Sequence, residues 1–117
     1  MTTSHDIFQF FRGALRGAYG REDLRGKTIL FIGMGILAQN VLNRVCLDGV
    51  QIYFKDSSVQ NYRNAHTTCT LVSPWLGESV DAVLDFEKEQ IVLKDRPFPF
   101  DRILNDAYTQ GIHEYYL

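Results

Sequence analysis

From Asp6 to Tyr19 the apolar residues Ile7, Phe8, Phe11, Ala14, Leu15 and Ala18 recur three and four positions apart, while Gln9, Arg12 and Arg16 fall elsewhere on the wheel. That period predicts an α-helix with one apolar stripe. Ser4 or Asp6 is placed to cap its start and Gly20 to end it. Phe10 widens the stripe, so part of it is available to a second subunit. Beyond the polar turn Arg21-Glu-Asp-Leu-Arg-Gly26 the pattern changes. Thr28 to Ile32 is apolar without a break, as expected of a central parallel strand covered on both faces.

Gly33-Met34-Gly35 interrupts that run, and helical spacing resumes from Ile36 to about Leu47, with Leu37, Val41, Leu42 and Val45 on one side and Asp48-Gly49 as the stop. Val50 to Phe54, rich in β-branched and aromatic residues, predicts a second strand that ends at Asp56. The next crossover holds a short helix over Val59 to Ala65, capped by Ser57 or Ser58. Cys69 to Ser73 is the expected third strand, with Pro74-Trp75 leaving its carboxyl end.

The second half breaks this alternation. Asp81 to Asp95 predicts a hairpin turning at Glu87-Lys-Glu89, with Val83 or Leu84 and Phe86 on one arm and Ile91 to Leu93 on the other. A helix through Val80, Val83, Leu84 and Ile91 is the competing reading. Arg96 to Phe100 is expected as a turn and Asp101 to Gln110 as a helix with the stripe Ile103, Leu104 and Ala107, before an aromatic tail from Ile112 to Leu117 that docks. The whole predicts a single α/β domain: a small Rossmann-like three-layer fold with a mostly parallel sheet and a C-terminal β-hairpin plus helix. Residues 6–74 form its nucleotide-binding-like half and residues 75–117 a divergent one.

The glycine turn carries the chemistry. A helix that begins just after two glycines offers unpaired N–H groups and a positive dipole end to a pyrophosphate. Gly33 would allow the tight turn, Gly35 the close approach of phosphate, and Ala38 the close packing of helix on strand. A carboxylate at Asp56 would accept hydrogen bonds from both ribose hydroxyls and repel a 2′-phosphate, which favours NAD over NADP. The candidate cofactor site is therefore Gly33, Met34, Gly35, Ile36, Leu37, Ala38, Asp56 and Pro74. Trp75, at the carboxyl end of the third strand, is a candidate flank of the nucleotide.

The segments Asp23-Leu-Arg-Gly-Lys-Thr-Ile-Leu-Phe-Ile-Gly-Met-Gly35 and Lys55-Asp-Ser-Ser58 resemble the NAD(P)-binding domain of amino-acid dehydrogenases of the glutamate, leucine and phenylalanine type. The same stretch is similar to the cofactor domain of 2-hydroxyacid dehydrogenases. The resemblance covers about residues 6–74 and implies cofactor-binding roles for Gly33, Gly35, Ala38 and Asp56. The catalytic lysine and acid of those enzymes lie in a separate substrate domain that has no counterpart here.

Composition narrows the rest. With 117 residues, the chain is too short for a dinucleotide fold plus a substrate domain. A net charge of −2 and scattered basic residues give no footprint for a nucleic acid; the local cluster around residues 12–27 reads as a solvated face. No stretch reaches the roughly 18 apolar residues of a membrane span. The opening Met1-Thr-Thr-Ser-His-Asp6 lacks a charged region followed by an apolar one, so a cytoplasmic location is expected. Cys46 and Cys69 are expected to be small buried residues rather than a disulfide, and His66 with Cys69 supplies too few ligands for zinc. Asp56, His66 and Asp85 are the candidate groups for an enzyme, but their spacing identifies no reaction. The expected function is a stand-alone domain that binds NAD(H), or ADP or AMP, as a sensor, regulator or accessory subunit and as a homodimer. The alternative is an interaction module that keeps the fold without the nucleotide.

Overall fold

A computed structural model describes residues 3–20, 25–33, 35–56 and 58–100. They form three helices and six strands in the order α1 (Ser4–Tyr19), β1 (Thr28–Ile32), α2 (Ile36–Cys46), β2 (Gln51–Lys55), α3 (Val59–Thr68), β3 (Val72–Pro74), β4 (Ala82–Asp85), β5 (Gln90–Leu93) and β6 (Arg96–Pro99). All strands join one sheet in the order β3-β2-β1-β4-β5-β6. Strands β1 to β4 run in one direction, whereas the β4–β5 and β5–β6 pairings are antiparallel. The sheet is thus mixed and not mostly parallel. The cause is the tight turn after β4, which sends the chain straight back where a crossover helix would have kept it parallel.

Local chemistry explains the boundaries. Thr3 and Asp6 close a capping box on α1: Asp6 N–H donates to Thr3 Oγ1 at 3.1 Å and Thr3 N–H to Asp6 Oδ2 at 3.1 Å. The N-cap is therefore Thr3, ahead of both expected residues, Ser4 and Asp6, and Asp6 serves as its partner in the box. Ser58 caps α3 by accepting from Asn61 N–H at 3.2 Å. The expected hairpin is present, with Val83 opposite Val92 and Leu84 opposite Ile91.

Strand β6 stands where the sequence pattern predicts a turn. Pro97 and Pro99 are tolerated because β6 is an edge strand and the two occupy alternate positions; Phe100, on the other parity, donates its N–H to Glu89 O at 2.8 Å. The missing donors therefore face away from β5.

One core unites Ile7, Phe11 and Leu15 of α1, Val41, Leu42 and Val45 of α2, and Ala65 of α3 with alternate strand residues Ile29, Phe31, Ile52, Phe54, Leu84, Ile91 and Phe98. The helices therefore pack on one face, and the described residues make two layers, not three. The opposite face carries a row in register from Tyr53 through Leu30 and Val83 to Val92. The helix expected over Asp101 to Gln110 and the tail after it lie outside the described residues.

Phe10 belongs to the core: its ring is buried and meets Phe98 edge-on with centroids 5.4 Å apart. Arg12, counted with the solvated face, sits 5.5 Å from the centre of the Phe8 ring, and Arg44 of α2 sits 5.8 Å from it. Cys46 and Cys69 form a disulfide, with Cα atoms 5.9 Å apart. They are 23 residues apart in sequence, but α2 and α3 stand side by side and both end at the same end of the sheet. Among the described residues, no helix is long and apolar enough to cross a membrane.

Candidate functional site

The carboxyl ends of β1 to β4 are laced together by backbone hydrogen bonds. Gly33 N–H donates to Lys55 O at 3.0 Å, Trp75 N–H to Phe54 O at 3.0 Å, and Phe86 N–H to Ile32 O at 2.9 Å. These bonds bring the loops after all four strands to one edge. In an open α/β sheet that edge is where ligands bind, at the point where strand order reverses; here that point is between β1 and β4.

The two glycines of the turn behave differently. Gly33 is buried at φ +83°, a conformation that L side chains rarely adopt, and a Cβ there would lie 3.0 Å from Glu87 Cγ. The fold itself requires this glycine. Gly35 is exposed, its φ of −115° suits any residue, and a Cβ there would meet nothing within 4 Å. It is the N-cap of α2 and gives that helix no side-chain cap. The first-turn N–H groups of Ile36, Leu37 and Ala38 have no acceptor within the helix.

The other expected residues divide by position. Ile36 is 81% exposed at the mouth of the turn, Leu37 packs against the core, and Ala38 is fully buried in it. Met34 lies outside the described residues. Pro74 ends β3, opposite Phe54 of β2. Asp56 follows β2, as expected, but its carboxylate already serves α3: Oδ1 accepts from Ser58 N–H at 2.7 Å and Oδ2 from Asn61 Nδ2 at 3.1 Å. A carboxylate has about four acceptor sites, so capacity for a ribose hydroxyl is left.

Trp75 is fixed by donating Nε1–H to Glu78 O at 2.8 Å, and Lys55 Nζ lies 5.6 Å from the centre of its ring. Of the three candidate enzyme groups, Asp56 and Asp85 share the carboxyl edge. His66 is elsewhere, with Nδ1 3.3 Å from Val72 O at the amino end of β3.

Asp85 is 5% exposed and accepts from Glu87 N–H at 3.0 Å and Lys88 N–H at 2.9 Å. It builds the turn that carries Glu87 onto Gly33. The sequence pattern marks Glu87 only as a hairpin residue, because the alternation of a strand says nothing about which distant loop its end will meet. Among the described residues, no three His, Cys, Asp or Glu side chains come together to hold a metal ion. No protein-family model matches this chain, and a search of curated proteins finds no match.

Proposed function

We propose that this chain is a Rossmann-like domain that binds NAD(H) or an adenine nucleotide over the Gly33–Ala38 turn. It would act as a sensor, regulator or accessory subunit rather than as a complete dehydrogenase. The observation that carries this reading is Gly35. Neither backbone conformation nor a neighbouring atom demands glycine there, whereas a phosphate resting on the start of α2 would. The acid at the end of β2 and the reversal of strand order beside β1 support the same reading.

The test is a titration of the purified protein with NAD⁺, NADH, NADP⁺, ADP and AMP, followed by calorimetry and melting temperature. Saturable binding that Gly35→Val abolishes supports the proposal. No heat and no thermal shift at millimolar ligand would sink it. Association of two copies, part of the same reading, is checked by sedimentation equilibrium, where a single monomeric species removes it.

A second reading, an interaction module without nucleotide, draws on two observations. The Asp56 carboxylate is engaged by α3, and apolar side chains stand exposed near the carboxyl edge, Ile36 at the start of α2 (81%) and Leu76 in the loop after β3 (85%). A null titration would favour it.

A further inference from the structure

We infer that the Cys46–Cys69 bond is a redox-controlled tether of α3 and β3, and that its reduction by a dithiol lets these two elements leave the sheet while the other strands stay folded. The inference does not depend on a nucleotide being bound.

The three helices are held unequally. α1 buries Ile7, Phe8, Phe10, Phe11, Ala14 and Leu15, and α2 buries Ala38, Val41, Leu42 and Val45. Of the described side chains of α3, Ala65 alone is buried, whereas Gln60, Arg63, His66 and Thr67 are exposed. One buried methyl group contributes little to docking. The principal neighbours of α3 are α2 and β3, and β3 is a three-residue edge strand that ends in Pro74, which has no N–H to donate. Elements with so little apolar burial are the ones that open before a whole domain does.

The chain on either side of them is pinned. Lys55 O accepts from Gly33 N–H at 3.0 Å, and Asp81 N–H donates to Thr28 O at 2.9 Å. Between those points the one cross-link to the domain runs from Cys69, the C-cap of α3, to Cys46 at the end of α2. While it stands, α3 cannot move away from α2 beyond the reach of the bond, and an opened segment is divided into shorter loops with less entropy to gain. Reduction removes that restraint.

Cys69 is 1% exposed and Cys46 is half-buried, so attack by a thiolate falls on the Cys46 sulfur. The S–S bond breaks, a mixed disulfide forms on Cys46, and Cys69 leaves as a thiolate that takes up a proton. The second thiol of the reductant then displaces Cys46, which is protonated in turn. Two electrons and two protons have passed to the protein, and the dithiol has become a disulfide. Undocking then acts at named atoms: Ile52 N–H loses Leu71 O, Phe54 O loses Trp75 N–H, and the Asp56 carboxylate loses Ser58 N–H and the Asn61 amide. The redox state thus sets whether β2 presents an open strand edge and whether Asp56 is engaged.

The experiment is hydrogen–deuterium exchange read by mass spectrometry on the full chain, oxidised, reduced with dithiothreitol, and then reoxidised. Reduction should speed exchange in α3 and β3 by about tenfold or more and leave β1, β4 and β5 within about twofold of the oxidised protein. Reoxidation should restore the protection. The double variant Cys46→Ala with Cys69→Ala should match the reduced protein; if it does not fold, the reduced wild type decides alone. Unchanged protection of α3 and β3 on reduction would overturn the tether. Equal acceleration across every strand would also overturn it, because the bond would then support the whole domain. Two free thiols that no disulfide oxidant can join would do the same.

Discussion

Asp81 accepts from both donors of Thr28: its Oδ2 lies 2.8 Å from the backbone nitrogen and 3.1 Å from the hydroxyl, while the Asp81 N–H returns a bond to Thr28 O at 2.9 Å. This clasp joins the first residue of β1 to the residue before β4, so it fixes the register of the two strands between which the order of the sheet reverses. Asp81→Ala would leave a half-buried N–H without this acceptor, a cost of about 1–3 kcal/mol. Asp81→Asn keeps one acceptor oxygen and should lose less. Urea denaturation of the three proteins checks the order; an alanine variant as stable as the wild type would show the clasp to be idle.

Gly33 and Gly35, two residues apart, should respond in opposite ways to a side chain. Gly33→Ala places a Cβ at φ +83°, which costs about 1–2 kcal/mol, and Glu87 must also yield. Gly35→Ser meets open space and gives α2 the side-chain cap it lacks. Its stability should equal or exceed that of the wild type by a few tenths of a kcal/mol. Thermal melts separate the two. A destabilised Gly35→Ser would mean that the fold does require this glycine, and the main support for a ligand at the turn would be lost.

Much of this architecture is legible in the chain because local patterns decide it. The shift from helical spacing in α1 to an unbroken apolar run in β1, and back again after Gly35, needs no knowledge of distant residues. The hairpin of β4 and β5 is legible for the same reason. The illegible parts depend on where loops meet. Two prolines disguise β6, since only its place at the sheet edge makes them harmless. The clasp of Thr28 by Asp81, the seat of Glu87 on Gly33 and the pairing of Cys46 with Cys69 each join segments that no periodicity connects. Asp56 shows a further limit: an acid at the end of a second strand is also an acid just before a helix, and α3 uses it.

The Cys46–Cys69 bond spans a sequence separation of 23 and closes a loop that contains β2 and the whole of α3. Chain-entropy arguments assign such a loop about 3 kcal/mol. Reduction, or the double change Cys46→Ser with Cys69→Ser, should lower stability by roughly that amount, read from denaturation with and without a reductant. Thiol titration of the unfolded, unreduced protein should find none free. Two titratable thiols together with unchanged stability would remove the bond from this description.

Asp56 offers the sharpest separation of structural from binding roles, since its two oxygens already hold Ser58 N–H and the Asn61 amide. Asp56→Ala loses both contacts and should cost about 1 kcal/mol of stability, as loss of a capping side chain does. Asp56→Asn keeps an acceptor for Ser58 N–H, so most of that stability should remain. The charge is what the two variants lose in common. If the carboxylate receives the ribose hydroxyls, both variants should bind NAD⁺ about tenfold more weakly, the value of roughly one charged hydrogen bond. Removal of the negative charge should at the same time narrow the preference for NAD⁺ over NADP⁺. Calorimetric titration of the asparagine variant decides the matter, because its fold is preserved. An unchanged affinity there would confine Asp56 to the start of α3 and shift the search for the ribose contact to another residue at the carboxyl edge.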